Sequence, residues 1–127
     1  MLSEILYQNC QAFKQILEQL QAAIAAADVD RVVVTAKVAQ AQQVFQHSIF
    51  PLETTELDPA LLAQFQSCRT EMHKQIRLLG MDVMLLQAAR QSANIQQRQA
   101  QMGDRVQMLI GYCKVLLGIN QSGDELV

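Results

Sequence analysis

Leu6, Cys10, Phe13, Leu17, Leu20, Ile24 and Ala27 follow one another at alternating steps of four and three residues. A strand sends alternate side chains to opposite faces and breaks such a series, whereas an α-helix keeps positions three and four apart on one edge. The spacing predicts a helix over residues 2–27 with an unbroken heptad seam, the kind of edge that buries itself against other helices. Composition supports the same class. The chain holds five Gly, two Pro and no Trp, with aromatic residues at 5%, which disfavours sheet and turns. Its 127 residues, half of them apolar, suit one domain with a core of its own.

Asp28 or Asp30 can cap a following helix, so residues 28–30 read as a tight turn and the second helix returns antiparallel to the first. Its opening, Val32, Val33, Val34 and Thr35, has strand propensity, yet Val34, Val38, Ala41, Phe45 and Ile49 keep a helical step. That helix is predicted over 30–50, ending where Pro51 disfavours helical backbone in the residue before it, with a loop over Pro51–Leu57. Asp58 followed by Pro59 marks the start of a third helix, an acidic cap ahead of a residue pre-shaped for the first helical position. Its seam runs through Leu62, Phe65, Met72, Ile76, Leu79, Val83, Leu86 and Ala93, interrupted at Arg69 and Arg90.

Near Gly80 a second seam opens, through Met81, Leu85, Ala88, Ile95, Met102, Val106, Leu109, Cys113 and Leu116, about 200° round the helix from the first. Residues 59–117 as one helix would reach about 88 Å, more than twice the first helix. The third helix therefore breaks, near Gly80 or most plausibly near Gly103 and Asp104, or else its second half projects towards another chain. Gly118 suits a helix C-cap, leaving residues 1–118 as one domain and Ile119–Val127 as a flexible tail. The expected fold is all-α: an antiparallel helical hairpin with a long or broken third helix, a three- to four-helix bundle.

The formal net charge of −2 conceals an asymmetry. Residues 1–59 carry seven acids and three bases, residues 60–118 seven bases and three acids. An acidic hairpin beside a basic helix, both solvated, accounts for this, and no aromatic residues interleave with the bases as a nucleic-acid surface requires. No apolar run reaches the ~18 residues of a membrane span, and Glu4 stands where a secretion signal needs positive charge. Three cysteines without a C-x-x-C spacing fit a reducing compartment. The expected location is the cytoplasm.

No catalytic or metal-binding constellation can be read. His47 and His73 fall on different helices without a second ligand one turn away, Cys10 and Cys113 lie on seams, and Asp28 and Asp30 serve as caps. No cofactor is implied. Flexible thioethers at Met81, Met84, Met102 and Met108 suit an adaptable binding surface. The second seam is accordingly the predicted partner-binding face: Met81, Leu85, Ile95, Met102, Val106, Leu109, Cys113 and Leu116. Left open to water it would exceed what soluble monomers tolerate, which also predicts a homodimer unless the segment folds back.

The stretch Leu20–Leu52, LQAAIAAADVDRVVVTAKVAQAQQVFQHSIFPL, resembles the small flagellar type III export chaperones, the filament-cap type above all and the hook-junction type more distantly. Ile76–Leu86, IRLLGMDVMLL, is similar to a stretch of their third helix, with Asp82 at an acidic position. The resemblance implies a cytosolic helical chaperone whose C-terminal helix can mask the groove that takes a partner's amphipathic segment. The expected function is thus a non-catalytic helical protein-binding module, export-chaperone-like, with a structural homo-oligomer or a regulatory adaptor as the alternative.

Overall fold

The computed structural model describes residues 2–52 and 57–125, and the side chains of residues 4–52 and 57–118. It comprises α1 (Leu2–Ala25), α2 (Arg31–Val44) running on into a π-helical turn (Phe45–Ile49), α3 (Pro59–Ala88) and α4 (Ser92–Glu125). The helices pack as a closed four-helix bundle in which α1 lies between α2 and α4, and α3 closes the square from the other side. Neighbours are antiparallel throughout. Asn9 Nδ2 donates to Ser48 O while Lys37 Nζ donates to Gln19 Oε1, which sets α1 against α2. Gln99 Nε2 donates to Ile24 O and Ala26 O, so the start of α4 lies beside the end of α1 and satisfies two of its terminal carbonyls.

Asp30 caps α2, its Oδ1 accepting from the Val32 and Val33 amides at 3.0 and 3.3 Å. Asp58 does the same for α3 through Ala60 and Leu61, both at 3.0 Å, a cap worth about 1 kcal/mol. On α2 the seam steps by four twice in succession, from Ala41 to Phe45 and on to Ile49, which an α-helical turn of 3.6 would carry round the side. The wider π turn, closed by Phe50 N–H donating to Phe45 O at 2.9 Å, keeps both residues buried. Beyond Leu52 the predicted loop falls partly outside the described residues, at 53–56.

The break in the third helix comes neither at Gly80 nor near Gly103 and Asp104, all of which lie inside helices. Ala89 turns extended (φ −70°, ψ 133°) and α4 starts afresh at Ser92. Glycine in a helix costs only about 1 kcal/mol, less than the burial that each flanking seam secures. Gly80 has a packing reason to stay: a Cβ there would stand 2.5 Å from Gln42 Nε2 of α2. The restart explains the two phases read along this region, since a new helix takes up its own rotation. Nor does Gly118 end α4, whose backbone stays helical to Glu125 within the expected tail; Leu126 and Val127 lie outside the described residues.

The core joins the α1 seam from Leu6 to Ile24, the α2 seam, Phe65 to Leu86 of α3, and Met102, Val106, Leu109, Cys113 and Leu116 of α4. Ala27 and Ala93, the predicted ends of two seams, are exposed, the first in the turn after α1 and the second in the first turn of α4. The interruptions at Arg69 and Arg90 also resolve. Arg69 lies over the Phe50 and Phe65 rings and donates to Phe50 O and Leu52 O, capping the π turn from α3, and Arg90 lies in the break.

Burial governs the cysteines. Cys10 and Cys113 are fully buried, and desolvation pushes the Cys10 thiol up to about 12. Burial raises Cys113 further, with Cys10 beside it adding to the effect, and raises Cys68 as well. A buried thiol that stays neutral while its unfolded counterpart ionises near 9.0 contributes stability below that pH and loses it above. Unfolding free energy measured in urea under reducing conditions should therefore fall from pH 9 to 10, by up to about 1.4 kcal/mol per thiol. A double variant with Ala at Cys10 and Cys113 should start less stable but show a flatter alkaline slope; an unchanged slope would contradict the assignment.

Candidate protein-binding face

The eight residues of the predicted binding face are divided by the fold. Met102, Val106, Leu109, Cys113 and Leu116 are fully buried in the core, so that part of the prediction is corrected. The seam they form is real, but α1 and α3 of the same chain cover it. Ile95 is partly buried against that core. The unpartnered stripe that motivated a homodimer is thereby absorbed within one chain. Met81 and Leu85 remain outside, 57% and 47% exposed, with Met84 between them at 68%.

Met81, Met84, Leu85 and Ala88 stand at i, i+3, i+4 and i+7, which places them on one side of α3 along two turns. All four are exposed. The opposite side of the same turns is core: Leu79, Val83 and Leu86. α3 is thus apolar on two faces near its C-terminal end, and only one of them is covered. Beside the stripe, Leu85, Ala88 and Ala89 form one wall of a shallow groove of about 310 Å³, and Asn94, Gln97 and Arg98 of α4 form the other. Towards the N-terminus the same side of α3 turns cationic, with Arg77 four residues before Met81 and Lys74 seven before it, both exposed.

A polar cluster holds α3 and α4 in the register that makes this groove. Asp82 is 3% exposed and Gln75 5%. Arg105 Nε donates to Asp82 Oδ2 and its Nη1 to Gln75 Oε1 at 3.4 Å. Arg98 adds a second cation, Nη1 3.6 Å from Asp82 Oδ1, and donates to Gln101 Oε1 at 2.9 Å. A buried carboxylate needs such partners. Asp82 could be singled out in the sequence, as an acidic residue in an apolar run. Its partners, 16 and 23 residues on, could not, because only the reversal of the chain at Ala89 brings them near.

On its α2 side, α3 bounds a second groove, of about 530 Å³, whose lining includes Gln42, Gln46, His47, His73 and Arg77. His73 stacks on Phe45 at 6.2 Å and meets Phe50 at 5.1 Å, so its ring is a wall of this groove. Among the described residues no three His, Cys, Asp or Glu side chains gather as metal ligands, and no helix is long and apolar enough to cross a membrane. Met84 and Ala88 join Met81 and Leu85 as site residues once α3 is followed in its own phase and the seam is not extended across the break.

Replacing Arg105 by Ala leaves the Asp82 carboxylate with Arg98 alone and should cost about 3 kcal/mol in urea unfolding. Lys at this position should recover only part, since a single ammonium does not reproduce the fork that serves both Asp82 and Gln75. A loss below about 0.5 kcal/mol, the range of ordinary surface substitutions, would show that the cluster does not hold α4 in place.

Comparison with protein-family models, with curated proteins and with solved structures finds no match for the chain.

Proposed function

We propose that the protein is a non-catalytic binding module that holds an amphipathic helical segment of a partner protein on the outer face of α3, in the manner of an export chaperone. The observation that carries this reading is the stripe of Met81, Met84, Leu85 and Ala88, exposed on a helix whose opposite face is already fully used by the core. Partner helices dock by placing residues spaced i, i+3, i+4 and i+7 into such a surface. The two methionines suit this use, because an unbranched thioether adapts its rotamer to the side chain it meets. Ala88 and Ala89 add low relief at the groove, letting a helix approach closely.

The resemblance to export chaperones supports the same class of action, with a change in which residues do the work. In this bundle the C-terminal helix supplies core residues along its length, and the open apolar surface belongs to α3. The chaperone role, the cytoplasmic setting and the absence of catalysis belong to this reading. A regulatory adaptor would use the same face, and the two differ in what becomes of the partner after release.

A photo-crosslinking residue introduced at Met84 in the native cell tests the reading. It should give a discrete adduct with another protein, and the same probe at the exposed Gln40 of α2 should not. Leu85→Glu should abolish the adduct while changing stability by no more than about 0.5 kcal/mol. Leu109→Glu, in contrast, should unfold the bundle, because it drives a charge into the core at a cost of several kcal/mol. Adducts only between copies of the chain, or none that depend on Leu85, would contradict the proposal.

A further inference from the structure

We infer that the segment taken by this face is an amphipathic helix with acidic flanks, and that Arg77 selects it. The inference rests on the docking reading above and adds the chemistry of the partner. Lengthwise, the outer side of α3 is cationic at Lys74 and Arg77 and apolar from Met81 to Ala88, so the two halves are continuous along one helix edge. Among the described residues, the carboxylates near this edge are already engaged. Glu71 lies 4.0 Å from Lys74, and Asp82 is buried against Arg98 and Arg105. Asp28 and Asp30 stand at the turn before α2, near the other end of the stripe, where Asp30 is tied to the Val32 and Val33 amides. Arg77 makes no salt bridge among the described residues.

The adjoining groove points the same way. Gln42, Gln46, His47, His73 and Arg77 all carry N–H donors, and no carboxylate lines it. Arg77 belongs to both surfaces, one edge on the groove and one against the apolar stripe. A partner helix with Glu or Asp beside its apolar face would lay its apolar residues over Met81, Met84 and Leu85 and its carboxylates over Arg77 and into this donor-lined groove. A second copy of the chain fits less well, because a twofold pairing of this face sets its own bases against one another.

Peptides of about five helical turns, with one common apolar face and flanks of Glu, Gln or Lys, test this by fluorescence anisotropy with the full chain. The Glu-flanked peptide should bind at least about tenfold more tightly than the Gln-flanked one at low salt, and lose that advantage at high salt. Arg77→Glu should shift the preference towards the Lys-flanked peptide with circular dichroism unchanged. Equal binding of all three, insensitive to Arg77→Glu, would overturn the acidic partner while leaving the docking face in place. If none binds, or if Met84→Glu leaves binding intact, the docking reading fails as well. Binding of phosphatidylserine vesicles but of no peptide would assign the face to a membrane surface and overturn the inference.

Discussion

Between Ala88 and Ser92 the chain leaves one helix and begins another, and the rotation at which α4 restarts decides which residues of the C-terminal half face inward. α3 arrives with Leu79, Val83 and Leu86 on its buried side. α4 leaves with Met102, Val106, Leu109, Cys113 and Leu116 turned towards α1 and α3. The reversal also carries Arg98 and Arg105 back to Asp82, whose carboxylate could not stay charged in the interior without them. Apolar burial drives the closure, and the ion cluster fixes its register, since a shift of one turn would strand the carboxylate.

From that geometry follows the one apolar surface the fold leaves open on α3. A helix at the corner of a four-helix bundle can bury only about half its circumference, and α3 spends that half on the core. Met81, Met84, Leu85 and Ala88 are what remains, on the far side of turns that are already stable without them. An exposed stripe on a rigid helix can therefore vary in sequence or take a partner without threatening the fold. The buried seam of α4 has no such freedom, because each of its members touches the shared core.

Much of this could be read from the residues alone. The heptad steps of α1, the Asp30 and Asp58 caps, and the seams of α2 and α3 all depend on local periodicity and on side chains two or three residues from the backbone groups they serve. The seam from Met102 to Leu116 was equally legible as a seam, but not its occupant, because periodicity says that a face is covered and is silent on whether the cover comes from the same chain. The break was illegible for a related reason. Ala89, Arg90 and Gln91 carry no Gly or Pro, and the helix ends there because two phases of burial cannot be served by one straight helix. Extending the second seam back across the break joined Met81 and Leu85, which are exposed, to residues that are core.

The account stands on the claim that a partner covers α3 while α4 stays in the core, and the methionine methyl groups report on both at once. With the methyls isotopically labelled, addition of an acidic amphipathic helix should shift the NMR resonances of Met81 and Met84, which are exposed, and leave those of the buried Met72 and Met102 in place. Large shifts at Met102 with Met81 and Met84 unmoved would mean that the partner enters by displacing α4, and would contradict the account.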